Sequence, residues 1–172
     1  MKRTLIALVD DRPGVLNRVT SLFRRRSFNI ESLTVGHTAQ PGISRMTIVV
    51  DSSGTDSEQV AQHLCKLINV IKVEDITEQA SVSHDLAMIK VKAQGGKTRP
   101  EIMQIVETFR ANVVDVGPDT LIVEVTGSEE KLDSLVEVLR PFGILEMVRT
   151  GRVAMVRGSK TNEHNGGQDG NV

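Results

Sequence analysis

The chain has 172 residues, 39% of them hydrophobic and 25% charged, with a formal net charge of −1. This is ordinary for a soluble globular protein and provides no global basic field for holding phosphates. Four Phe with no Tyr or Trp argue against aromatic stacking platforms for single-stranded nucleic acid, and one Cys permits no internal disulfide, which fits a reducing compartment.

After Met1-Lys2-Arg3, the apolar run Leu5 to Val9 is too short for a signal-peptide core or a membrane span. A cytoplasmic protein without membrane contact is expected. Leu5 to Asp10 reads as a buried strand. Asp10-Asp11-Arg12-Pro13-Gly14-Val15-Leu16 then stops it, turns sharply and opens a helix with Val15, Leu16, Val19, Leu22 and Phe23 on one face. A helix start exposes unpaired N–H groups and a partial positive charge, a seat for a small carboxylate, and Gly14 leaves the backbone open to close approach. Asp11 is expected to cap the helix. Arg24-Arg25-Arg26 closes it, where cations favour the negative end of the helix dipole.

Phe28 to His37 reads as the next strand, Gln40-Pro41-Gly42 as a turn, and Arg45 to Val50 as a strand with Met46, Ile48 and Val50 pointing one way. Thr55-Asp56-Ser57-Glu58 has capping-box spacing before a helix carrying Val60, Ala61, Leu64, Leu67 and Ile68, with Cys65 core-facing. Val70 to Val73 closes the unit. The order is β-α-β-β-α-β, a ferredoxin-like arrangement.

The same order then repeats. Leu86 to Ala93 is a strand, and Thr98-Arg99-Pro100-Glu101 a second capping-box start for a helix lined by Ile102, Ile105, Val106 and Phe109. Val113 to Val116 and Leu121 to Val125 form a hairpin across Gly117-Pro118-Asp119-Thr120. Ser128 caps a last helix bearing Leu132, Leu135, Val136 and Leu139, followed by the strand Ile144 to Val148 and a short strand near Arg152 to Val156. The expected class is α+β, with two ferredoxin-like domains at residues 1–76 and 85–158. Residues 77–84 read as a linker and 159–172 as a disordered Gly- and Asn-rich tail. Units of about 70 to 80 residues lie near the lower limit for an independent core, and helices cover one sheet face only. A dimer through an open face or edge is expected.

Catalytic signatures are absent from the sequence. His37, His63, His84 and His164 have no metal-ligand spacing, and no nucleophile elbow, P-loop or dinucleotide fingerprint occurs. Gly95-Gly96-Lys97-Thr98 lacks the upstream Gly of a P-loop and reads as a flexible turn. Asp10 and Asp11, neighbours at a strand end, are expected to diverge rather than act as a carboxylate pair.

The residues resemble a known family. The first unit is similar to an ACT domain, and the chain from Met1 to Gly158 resembles the regulatory (small) subunit of acetolactate synthase, or acetohydroxyacid synthase. The resemblance rests on Arg12-Pro13-Gly14-Val15-Leu16, on Phe28-Asn29-Ile30-Glu31-Ser32-Leu33-Thr34-Val35 and on Ser44-Arg45-Met46-Thr47-Ile48. Lys131-Leu132-Asp133, Arg149-Thr150-Gly151 and Arg157-Gly158 extend it through the second half. It implies no catalytic residues and no metal or cofactor on this chain. The implied partner is a catalytic large subunit that carries thiamine diphosphate, Mg²⁺ and FAD and condenses two 2-oxo acids. The small subunit would activate it and confer feedback inhibition by valine, with leucine or isoleucine as alternatives. The implied effector site lies between the ACT domains of a homodimer: Gly14, Val15 and Leu16 offer N–H groups to the amino-acid carboxylate, Asp11 stands near its ammonium, Asn29 and Ile30 of the second copy close the pocket, and Val35 supports the interface.

Two departures from the family pattern stand out. Asp10-Asp11 replaces the family's Asn or Glu-Asn, and a carboxylate turned onto the ligand's own would repel it by about 4 kcal/mol. Ser27 replaces a Gly, which would strain a positive-φ turn by roughly 1 kcal/mol. The alternative function is a free-standing ACT-type amino-acid sensor acting on another enzyme or on transcription, although no DNA-binding helix pair is visible. An RNA-recognition motif would need aromatics where Arg45, Met46 and Ile48 stand, and an acylphosphatase-like enzyme would need an Arg-bearing phosphate loop.

Overall fold

The computed structural model describes residues 2–51 and 57–158. The expected cap at Thr55-Asp56 and the expected tail lie outside these residues, as does His164. The chain divides into two compact units, residues 2–82 with 154–158 and residues 83–153.

In the first unit, β1 (Lys2–Asp10), α1 (Val15–Arg25), β2 (Asn29–His37), β3 (Ile43–Asp51), α2 (Ser57–Cys65) and β4 (Val70–Asp75) follow one another. They form an antiparallel sheet of order β2-β3-β1-β4. Alternation along the strands sends Leu5, Ala7 and Val9 of β1 and Met46, Ile48 and Val50 of β3 against Val15, Val19, Leu22 and Phe23 of α1 and Val60 and Leu64 of α2. Burial of these side chains contributes roughly 1.5–3 kcal/mol each for the larger ones. On the opposite face Ile6 packs with Ile76, Ala154 and Val156, and the Arg45 guanidinium donates to the Ala154 carbonyl at 2.6 Å. Residues 154–158 thus cover part of the sheet face that the sequence left open, and they belong to the first unit rather than the second.

The second unit runs β5 (Ser81–Lys92), α3 (Thr98–Thr108), β6 (Asn112–Val116), β7 (Thr120–Gly127), α4 (Glu129–Leu139), a 3₁₀ turn at Arg140–Phe142 and β8 (Ile144–Arg149). The sheet order, β6-β7-β5-β8, repeats that of the first. Its core joins Ala87, Ile89, Val91, Leu121, Val123 and Val125 to Ile102, Val106, Leu132, Leu135 and Leu139. β9 (Val153–Val156), whose residues 154–156 belong to the first unit, pairs with β5, whose opening residues 81–82 that unit shares. β5 begins inside the stretch expected to be a linker, because its polar opening residues gain a strand partner there.

Four local expectations are corrected. α2 ends at Cys65, and its buried stripe is Val60 and Leu64; Cys65, one residue past Leu64 and so turned about 100° around the axis, is exposed. Ile68 falls beyond the helix and is 94% exposed. Leu16 leaves the buried stripe of α1 and is 45% exposed. At α3 the N-cap is Lys97 with no side-chain cap, so Thr98 lies inside the first turn and cannot close a box with Glu101. By contrast Ser128 does cap α4, accepting from the Lys131 N–H at 3.4 Å.

Ser27 takes the left-handed conformation, φ +57°. The Ser27 N–H donates to Arg24 O at 3.2 Å and the Phe28 N–H to Phe23 O at 3.1 Å, the paired bonds of a Schellman end. Phe28 then meets Phe23 edge to face, with ring centroids 6.2 Å apart. α3 ends in the same way, with Arg110 at φ +50° and bonds Arg110 N–H to Glu107 O and Ala111 N–H to Val106 O. A residue with a Cβ is strained in this conformation, so Ser27→Gly is expected to stabilise the chain by about 1 kcal/mol in urea unfolding. Unchanged or lower stability contradicts the strain.

A polar clasp joins the start of β1 to the end of β4 and to Thr77 just beyond it. Arg3 lies 2.8 Å from Asp75 Oδ2, and the Thr77 hydroxyl and N–H both donate to Asp75 Oδ1. Burial pushes the Asp75 carboxyl up, but the Thr77 hydrogen bonds and Arg3 together outweigh it and hold it below the ordinary aspartate value. A depressed value means that this stabilisation is present above about pH 4, the unfolded value, and is lost as pH falls through the folded one. Stability measured from pH 6 to pH 2 should therefore fall less steeply in Asp75→Asn than in the parent chain; parallel curves contradict the assignment.

Candidate functional site

The site grows from the way β1 becomes α1. Val15 is 4% exposed and locked into the core at the first helical position. Gly14 precedes it as N-cap with φ +86°, a conformation that favours glycine. A Cβ built at Gly14 meets nothing within 4 Å, so the requirement for glycine is conformational and the space in front of it is open.

Asp11 does not cap α1, and no side chain does. The first turn also carries no acidic residue. No side chain therefore compensates the helix start or its positive dipole end, and the Val15 N–H makes only a long 3.4 Å bond to Arg12 O, an arrangement suited to a small carboxylate. The Asp11 N–H donates to Gly42 O at 2.9 Å, and its carboxylate lies 3.3 Å from His37 Nδ1, at the last residue of β2. The Asp10 carboxylate goes elsewhere, accepting from Asn69 Nδ2 at 2.8 Å. The two acids diverge, as expected of neighbours at a strand end.

The helix start thus offers donors, and Asp11, three residues before Gly14, a carboxylate at the same end of the unit; a zwitterion needs both kinds of group. Leu16, largely free of the core, adds apolar surface next to them.

Asn29 and Ile30 are not at this end of the unit. Asp10 pairs with Ile43 and Asn29 with Asp51, at opposite ends of β3. At strand rise they stand about 26 Å apart. Asn29 is exposed at the start of the edge strand β2, Ile30 packs against the core, and Val35 is 43% exposed on the same strand. One chain brings Asp11, Gly14, Val15 and Leu16 together and leaves Asn29 and Ile30 apart from them.

His37, Gly42 and Asn69 escaped the motif reading. Topology could have found His37, because β1 and β2 flank β3 in parallel and their last residues share one end. Among the described residues no group of His, Cys, Asp and Glu could hold a metal ion, and no helix is long and apolar enough to cross a membrane.

A βαββαβ unit with an open, uncapped helix start after its first strand defines an ACT-type regulatory module. Residues 5–72 match the family described as AHAS small subunit-like ACT domain, and residues 84–158 match the small subunit of acetolactate synthase. The chain is 52% identical over 155 residues to the probable acetolactate synthase small subunit of Methanothermobacter thermautotrophicus, covering 90% of this chain and 92% of that protein. It is 50% identical to the acetolactate synthase small subunit of Bacillus subtilis, covering 93% of each. The crystal structure of the acetolactate synthase small subunit from Thermotoga maritima superposes with a TM-score of 0.84 at 36% identity, covering 93% of this chain and 99% of that one. The chain belongs to the acetolactate synthase small-subunit family, the regulatory, non-catalytic subunit of that enzyme.

Gly14→Ala keeps the open space but loses the conformational freedom. It is expected to cost about 1 kcal/mol in urea unfolding; a neutral effect contradicts a left-handed N-cap.

Proposed function

We propose that this chain activates a catalytic large subunit in the cytoplasm and makes it sensitive to valine, with leucine and isoleucine as alternative effectors. The thiamine diphosphate, Mg²⁺ and FAD belong to the large subunit, and this chain carries none of them. Two copies pair through their ACT domains.

The observation that carries this reading is the uncapped helix start at Gly14, three residues after Asp11, whose carboxylate stands by His37. The effector carboxylate accepts from the N–H groups of Gly14, Val15 and Leu16, and its ammonium faces Asp11. A branched side chain then meets Leu16. The separation of Asn29 from Gly14 supports a site completed by a second copy. β2 is an edge strand with ladder groups to offer. Pairing two β2 edges antiparallel reverses one of them, so that Asn29 and Ile30 of the second copy approach the Asp11 end of the first. Val35 then lies within the seam. Bound valine favours the dimer conformation that couples unfavourably to the large subunit, and the coupling is reciprocal for binding.

Calorimetry of the full chain with each branched-chain amino acid, alongside activity of the co-expressed large subunit, tests this. Saturable heat with valine and higher activity in its absence are expected; no heat with any of the three and no activation overturn it. Gly14→Asp is expected to abolish valine inhibition and keep activation, because a carboxylate then occupies the anion seat. Retained valine sensitivity contradicts the placement.

A further inference from the structure

Asn69 stands just before β4, outside the turn from Asp11 to Gly14, and is bonded to a residue on either side of it, Asp10 and Arg18. Its carbonyl accepts from the Asp10 N–H at 2.9 Å. Its side-chain Nδ2 donates to Asp10 Oδ2 at 2.8 Å, and its Oδ1 accepts from the Arg18 guanidinium. Asp10 is the last residue of β1. Arg18 lies one turn into α1, where its own N–H donates to Gly14 O at 3.0 Å.

The chemistry of the three side chains selects the middle one. A carboxylate only accepts and a guanidinium only donates. A group between them must donate at one atom and accept at another. Asn does both at this length; Asp serves Arg18 alone, and an aliphatic residue serves neither. The exposed turn has no side-chain cap, and beside its backbone bonds from Arg12 N–H to Asp10 O and from Val15 N–H to Arg12 O this clasp adds a side-chain tie between the strand end and α1.

We propose that Asn69 is the positioning residue of the effector seat: it fixes the distance between the end of β1 and the start of α1, and so preorganises the N–H groups that face the ligand. The inference rests on reading that turn as the seat. It gives Asn69 no contact with the ligand. A preorganised donor set binds more tightly because less freedom is lost on association.

The test exchanges donor and acceptor. Asn69→Asp sets two carboxylates face to face and opens the clasp. Asp10→Asn with Asn69→Asp restores the same hydrogen bonds with the roles reversed. Valine affinity of the full chain is expected to weaken about tenfold in Asn69→Asp, the loss of one hydrogen bond to a charged group, and to recover in the double variant. Amide exchange of Asp11, Arg12, Gly14 and Val15 without valine should quicken in the single variant and return in the double one. Parent-like affinity and exchange in Asn69→Asp, or no recovery in the double variant, overturn the proposal. If the parent chain binds none of the three amino acids, the effector reading falls, and exchange alone then decides whether Asn69 holds the turn.

Discussion

The arrangement depends on one constraint: α1 must begin directly after β1, at a residue whose side chain is already committed to the core. Val15 is that residue, and burying it forces the chain to reverse over Arg12-Pro13-Gly14. The reversal demands a positive φ at Gly14. An Ncap residue with a positive φ and no side chain cannot supply the oxygen that normally satisfies the first turn. An open set of N–H donors is therefore a consequence of how the core is packed. In most helices such donors are met by a Ser, Thr, Asp or Asn; here no side chain meets them, and the turn before them is held by the contacts of Asn69 to Asp10 and of Gly42 to Asp11.

The same topology occurs twice and both first helices start without a side-chain cap, but only α1 starts on a positive-φ glycine with no acid in its first turn. Both units have one sheet order and end their first helix in a left-handed residue, Ser27 or Arg110, followed by the same pair of bonds. They differ where β meets α. In the second unit the N-cap is Lys97 in a helical conformation, and Arg99 reaches out to the carbonyls of Gly117 and Pro118. That cation is bound to the hairpin turn, whereas the first unit presents a bare backbone. The repeated fold thus opens its first helix on a positive-φ glycine in one unit and on Lys97, with Glu101 in the first turn, in the other.

Alternation and 3.6-residue spacing made both sheets and all four helices legible in the sequence, because burial on one face leaves a period that composition alone does not. Pro41-Gly42, Pro118 and Ser128 marked turns and a cap by chemistry specific to those positions. The sequence was misleading where a local signal competed with context. Thr98 has ideal box spacing, but the helix starts one residue earlier. Cys65 looks like core by composition and faces outward because it sits about 100° around α2 from the buried Leu64. The covering of Ile6 by Ala154 and Val156 was invisible because it joins residues far apart in the chain. Within the site, Asp11, Gly14, Val15 and Leu16 form one local string and were readable as such. His37 and Asn69 reach the turn only through the sheet, so no motif names them.

A seat shared between two chains is the central claim, and subunit complementation tests it most directly. A mixed dimer would be purified through two different tags, one chain carrying Gly14→Asp and the other Asn29→Ala. If each site takes its helix start from one chain and Asn29 from the other, one site in the mixed dimer is fully intact and the other doubly broken. Calorimetry should then find one valine per dimer at parent affinity, although each variant alone binds none. No binding in the mixed dimer would mean that Gly14 and Asn29 serve the site from the same chain, contradicting the shared seat.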